Sequence, residues 1–320
     1  MVAFFIRRIL QSIVVLLIVT LITFALLRSI PGNVAVAVMG PGAYRNPEAI
    51  KLFNSTYGFN LPWYRQYFLW LGHLARGNLG FSWTLNQSVA SLLSNALPKT
   101  IVLVGTSIVV AVIIAIPVGM VQAVRRNSVI DHVANATSTV FYAMPDFLIG
   151  IVLILVFSIK LGMFPPEGPQ GEGFGTAIAN FNALILPIIC LSVTTVALFS
   201  RYMRSSVLDN LTEDYVRTAR AKGASEHRVL VRHVLRNSMA STMTLLGLSL
   251  PTILAGALIT EAVFNYPGMG YLFYQAAARQ DYPVLLGFTV VVAVATVIGN
   301  LLADIGYAVL DPRVRYIDAS

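Results

Sequence analysis

Charge is scarce in this chain. Of its 320 residues, 11% are Asp, Glu, Lys or Arg, while 57% are hydrophobic. Soluble domains carry about a quarter charged residues, so an ordinary soluble fold is excluded. Cysteine is nearly absent: Cys190 stands alone, which excludes an intrachain disulfide and a thiolate metal site. There is no Gly-x-x-x-x-Gly-Lys-[Ser/Thr] loop, nor any Gly-Lys pair, so the chain has no phosphate cradle with which to hydrolyse nucleotide itself. His-Glu-x-x-His and Gly-x-Ser-x-Gly are missing too, which removes the usual metalloprotease and hydrolase readings. His73 has no second ligand at metal spacing and is expected to pack or face solvent. The glycine-rich run from Pro165 to Gly175 follows no strand and is expected to be a flexible loop rather than a phosphate site.

What is present is hydrophobic length. Apolar stretches able to cross about 30 Å of hydrocarbon run over Ile9–Leu27, Thr100–Val124, Val133–Ile159, Leu184–Ser200, Thr242–Ala262 and Val284–Leu310. Backbone polar groups in lipid must be satisfied within their own segment, so the expected fold is an all-α membrane protein with six transmembrane helices. The first stretch, with Arg7 and Arg8 before it, is too long for the core of a signal peptide and no Ala-x-Ala site directly closes it, so it is expected to be a retained span.

The basic residues set the orientation. Arg7 and Arg8 precede span one, Arg125 and Arg126 follow span two, eight Lys or Arg lie between spans four and five, and Arg313 and Arg315 follow span six. The positive-inside rule places all four segments, and both termini, in the cytoplasm. The opposite loops hold Glu167, Glu172, Glu261, Arg279 and Asp281. Topology accounts for most of the net charge of +8, and no nucleic-acid partner is needed. Four segments follow: an N-terminal transmembrane helix over 1–30, an extracytoplasmic segment over 31–98, a helical core over 99–310 with a cytoplasmic loop at 205–238, and a cytoplasmic tail over 311–320. In the second of these, Leu61–Leu74 is rich in Trp and Tyr, as expected of a small external subdomain or an interfacial amphipathic helix.

The most patterned polar stretch is the island from Leu211 to Asn237, LTEDYVRTARAKGASEHRVLVRHVLRN. Thr212, Glu213 and Asp214 mark a helix start, Arg217, Arg220 and Lys222 crowd its end, and Gly223 supplies a left-handed turn. A second short helix opens at Ser225. Helix, glycine turn and helix between two spans form a knob suited to a cytoplasmic partner. Within the spans, Asp146 is the one ionisable residue near a middle, and a carboxylate there marks either a pathway or a site satisfied by neighbouring polar groups. Pro145 just before it should kink or interrupt the helix. Asp304 lies nearer the end of span six, with Asn300 one turn earlier.

These residues carry a resemblance. The island DYVRTARAKG resembles the EAA loop of permease subunits of binding-protein-dependent ABC importers, in the wording of the dipeptide/oligopeptide/nickel group and its B-type permease. Arg217-Thr218 replaces the common Glu-Ala start, while Ala219 and Gly223 fill the core pattern. IPGN at the end of span one and RGNLG at Arg76–Gly80 are similar to group motifs in which Asn33 and Asn78 replace an acid. Pro145, Phe147 and Gly150 form a Pro-x-Phe-x-x-Gly pattern; TEAVFNYPGMGYLF from Thr260, QDYP from Gln280 and LDPRVRY from Leu310 complete the series.

The resemblance implies a type I ABC importer permease fold in a prokaryotic plasma (inner) membrane. It implies as partners a second homologous permease, one or two ATPase subunits that bind ATP and Mg, an extracytoplasmic substrate-binding protein and the surrounding lipid. This chain is then a non-catalytic translocation subunit without a cofactor of its own. The family's coupling helices imply that Asp214, Tyr215, Arg217, Ala219, Ala221 and Gly223 meet the ATPase, and Pro145 and Asp146 are candidates for the translocation pathway. Di- and oligopeptides are the expected substrates, with oligosaccharides or nickel as alternatives inside the same architecture. An ion-coupled secondary transporter would normally show internal repeats and a relay of intramembrane ionisable residues. An intramembrane enzyme would need a nucleophile with a partner, and Cys190 has no His beside it in the spans.

Overall fold

The computed structural model describes residues 2–30, 34–171, 175, 178–239 and 257–310. Among these residues the structure is helical, with a single isolated β contact between Phe81 and Ser88. The helices are α1 (Val2–Ser29), α2 (Val34–Met39), α3 (Pro47–Thr56), α4 (Trp63–Ala75), α5 (Val89–Val124), α6 (Val129–Ala143), α7 (Asp146–Leu153), α8 (Ile185–Leu211), α9 (Asp214–Ala221), α10 (Glu226–Arg228, continuing as a π-helix over Val229–Val234), α11 (Met269–Ala278) and α12 (Tyr282–Leu310). Four of the described helical segments are long and apolar enough to cross a bilayer, in α1, α5, α8 and α12, and the bent pair α6–α7 makes five if it is one span. Most of the expected fifth span, Thr242–Ala262, lies outside the described residues, as do Pro31 to Asn33, Glu172, the tail beyond Leu310 and the side chains of Arg7, Arg8, Asn300 and Asp304.

The third expected span is not one helix. α6 stops at Ala143 and α7 starts at Asp146, with a bend of 102° between them. Met144 is extended at φ −79° and ψ 128°, the conformation that a following proline ring imposes, and Pro145 has no N–H to continue the ladder. α7 then runs into a π-helical turn over Ile154–Lys160.

By compactness the chain divides into two units. One comprises Met1–Lys99 and Pro267–Val297, the other Thr100–Tyr266 and Ile298–Ser320. In the first, Val89, Leu93 and Ala96 of α5 share a core with Met269 and Ala276 of α11 and Val284 and Leu285 of α12. Gly287 makes this packing possible, since a Cβ there would come within 2.5 Å of Val89. Phe53, Tyr57, Phe59 and Trp83 stack beside it with ring centroids 4.6 to 5.9 Å apart. Asp281, expected in a loop, is fully buried; its Oδ2 accepts from the Ser82 and Thr84 hydroxyls, at 2.5 and 2.6 Å, and from the Thr84 amide. In RGNLG, Asn78 Oδ1 accepts from the Gly80 amide.

In the second unit α5 and α8 cross closely at Gly119, where a Cβ would meet Met203 and the Ser200 carbonyl at 2.7 Å. Glu261 is also buried and accepts from Thr100 Oγ1 at 2.6 Å. The loop expected to be flexible is pinned over its first half. The Gly168 amide donates to the Phe264 carbonyl, and Gln170 Nε2 donates to the Gly168 and Asn265 carbonyls. Gly168 and Pro169 are buried, and a Cβ on Gly168 would meet the Tyr266 ring at 2.8 Å.

Candidate functional site

The island folds as two short helices around a glycine turn, with local bonding that fixes its shape. Thr212 closes α8, its hydroxyl donating to the Asp209 carbonyl, and the N-cap of α9 is Glu213 rather than Thr212. The Gly223 amide donates to Arg220 O at 2.9 Å and the Ala224 amide to Ala219 O at 3.1 Å, with Gly223 at φ +80°. These two bonds are the Schellman arrangement that ends a helix on a left-handed residue. α10 then opens as expected at Ser225, which occupies the N-cap position without a side-chain bond. Arg220 donates through Nε and Nη2 to both oxygens of Glu226, at 2.8 and 3.1 Å, so a bidentate pair spans the turn and ties α9 to α10.

The inner face of the island belongs to its own core. Val216 and Ala219 are buried with Ala123 of α5, Met203 and Val207 of α8, and Val229 and Val234 of α10. The Tyr215 hydroxyl donates to Asn210 Oδ1 at 2.6 Å, and Asn210 Nδ2 donates to the Ser206 carbonyl. Ala219 and Tyr215 therefore hold the island to the helix ends, Ala219 buried and Tyr215 half-buried. Asp214, Arg217, Ala221 and Gly223 are exposed, with Arg217 only loosely paired to Asp214 at 3.5 Å. They form an outward surface that is small at two of its four positions.

α8 carries this island and is clamped to α6. Arg204 donates through Nε and Nη2 to the two carboxylate oxygens of Asp131, both at 2.8 Å. Asp131 Oδ2 also accepts from the Asn127 amide, and the Asp131 amide donates to Ser128 Oγ, which caps α6. The Asp131 side chain is 5% exposed and that of Arg204 27%. Sequence reasoning overlooked this pair; the available signal was Ser128-x-x-Asp131, a helix-capping pattern at the start of span three.

Pro145 and Asp146 sit at the break between α6 and α7, apart from the island. Pro145 is exposed, and Asp146 is half-buried beside Thr194 of α8. Gly150, last residue of the Pro-x-Phe-x-x-Gly pattern, lets Val263 and Phe264 approach; a Cβ would come within 2.9 Å of Val263. The pattern thus breaks a helix at its first residue and seats the outgoing half at its last.

The fold is that of a helical membrane protein that presents a polar two-helix island, with one helix pair broken at Pro145. The chain belongs to the family described as "Binding-protein-dependent transport system inner membrane component", whose profile matches residues 115–316. The profile of the corresponding N-terminal region matches residues 1–104. The oligopeptide transport system permease protein AppB of Bacillus subtilis is 40% identical, over 99% of this chain and 100% of its own length. The oligopeptide transport system permease protein OppB of Haemophilus influenzae is 35% identical over 99% and 100% of the two chains. Among solved structures, a chain of the MetNI methionine ABC transporter in inward-facing conformations superposes with a TM-score of 0.54 at 16% identity, covering 69% of this chain and 97% of that one. That likeness shows the fold.

Proposed function

We propose that this chain is one half of the membrane channel of an ATP-driven importer that takes up di- and oligopeptides delivered by an extracytoplasmic binding protein. A second homologous permease completes the channel, and one or two ATPase subunits supply ATP binding, Mg and hydrolysis. The chain crosses a prokaryotic inner membrane six times, with both termini and the island in the cytoplasm. The substrate follows from the peptide permeases that resemble the chain over nearly its whole length.

The observation that carries the mechanism is the two-helix island, locked by the Gly223 turn and the Arg220–Glu226 pair. Its exposed face, Asp214, Arg217, Ala221 and Gly223, meets the ATPase, while Tyr215 and Ala219 anchor it. Movement of the ATPases displaces α9, and the shared core of Val216, Ala219, Ala123 and Met203 passes the displacement to α5 and α8. The Arg204–Asp131 clamp carries it to α6, which leads to the break at Pro145 and to Asp146 on the pathway. ATP binding favours the outward-facing state and hydrolysis resets the inward-facing one, as alternating access requires.

The test is ATP hydrolysis by the reconstituted complex in lipid nanodiscs with its binding protein, across di- to pentapeptides, oligosaccharides and nickel. Stimulation by peptides alone is expected. Stimulation by a sugar or nickel instead would retain the importer and discard the peptide substrate.

A further inference from the structure

Helix α4 is tied to the middle of the first span. The Tyr67 hydroxyl lies 3.2 Å from Thr20 Oγ1 and donates to the Leu17 carbonyl. Leu17 and Thr20 fall in the middle of the apolar stretch Leu10–Ser29. Thr20 is about 12 Å along the helix axis from Arg28 at 1.5 Å per residue. α4 therefore packs against the middle of α1, and Phe68 and Leu69 of α4, like Ile22 and Leu26 of α1, are more than half exposed.

Between these elements is a cavity of about 420 Å³, lined by Phe24, Leu27 and Arg28 of α1, Trp70 of α4, Phe59 and Leu286. Phe24, Leu27, Trp70 and Leu286 belong to one apolar cluster. The cation is Arg28, in the last turn of the span. Its guanidinium stacks 4.7 Å over the Phe59 ring and donates to the Phe59 carbonyl at 3.4 Å. Among the described residues it has no carboxylate partner.

From this geometry we propose that the cavity binds a phospholipid, with the phosphate on Arg28 and the start of one acyl chain along Phe24, Leu27 and Trp70. A guanidinium presents a planar fork of donors suited to phosphate oxygens. Where a span leaves the hydrocarbon, the anion at hand is the lipid phosphate. The apolar wall includes Leu69, which is 54% exposed, so a ligand with an anionic head and an apolar tail meets both halves of the site. The lipid would wedge α4 against α1 and hold the segment that follows the first span.

Native mass spectrometry of the full chain, purified with the subunits that accompany it and stripped of lipid by detergent, tests this. Added phosphatidylglycerol should give one tightly retained lipid per chain. Diacylglycerol with the same acyl chains should bind about tenfold more weakly, the loss expected for a charge-assisted hydrogen bond. Arg28→Gln should produce the same tenfold loss, and Leu27→Trp, which fills the cavity, should also release the lipid. Arg65→Gln on the exposed side of α4 should leave retention unchanged. Equal retention of phosphatidylglycerol and diacylglycerol by the wild-type chain would overturn the site, whatever the folding of the variants. So would displacement of the lipid by inorganic phosphate or by free peptide, which would make the ligand a soluble anion.

Discussion

Two arginine–carboxylate pairs of the same bidentate geometry occur in different surroundings. Arg220 and Glu226 join the two halves of the island with side chains 43% and 65% exposed. Arg204 and Asp131 join α8 to α6 with exposures of 27% and 5%. In the open, water competes for both partners, and such a pair contributes up to about 1 kcal/mol. With the carboxylate covered, water competes less well, and breaking such a pair costs more, up to about 3 kcal/mol. The first pair shapes a surface; the second holds helices together.

The largest effect should come from the turn beneath the exposed pair. Gly223→Val puts a β-branched side chain at φ +80°, where no neighbour obstructs it but the backbone itself resists, at roughly 1–2 kcal/mol. Peptide uptake in proteoliposomes should fall to background while the amount inserted in the membrane stays near wild type. Normal uptake would remove the island from the coupling machinery.

Next comes Arg204→Ala, expected to lower stability by up to about 3 kcal/mol in a thermal or denaturant melt of the detergent-solubilised complex. Because Asp131 also receives the Asn127 amide, part of its charge stays satisfied, and Asp131→Asn in the Arg204→Ala background should recover some of the loss. A melt unchanged by Arg204→Ala would mean the clamp contributes nothing, and the proposed route from α8 to α6 would fall.

The smallest effect belongs to Arg220→Ala, which should change the melt by under about 1 kcal/mol. The Schellman bonds of Gly223 and Ala224 hold the turn without it. A loss as large as that of Arg204→Ala would erase the distinction between the two pairs.

Much of the island was legible because its signals are local. Gly223 ends α9 in the left-handed conformation that the glycine suggested, and Ser225 opens α10. Thr212 was misread as a helix start because the same residue types favour caps and turns, and here its hydroxyl turns back to α8. The break at Pro145 was legible for the same local reason, but the 102° bend was not, since a missing N–H says that a helix stops and not where the chain goes next. Asp281 and Glu261 looked like loop acids because an acid beside a span normally faces water. Both are buried because partners distant in sequence, Ser82 and Thr84 for one and Thr100 for the other, supply hydrogen bonds.

The sequence by itself determined the membrane setting, the helical character, the polar island with its glycine turn and the family. Each rests on composition, or on neighbours a few residues apart, where covalent geometry and backbone bonding act alone. Tertiary structure decided which island residues face outward, which acids are buried, and that α4 packs against the middle of α1. Those outcomes depend on hydrogen bonds between positions such as Tyr67 and Thr20, or Arg204 and Asp131, whose strength depends on how much water the surrounding helices exclude.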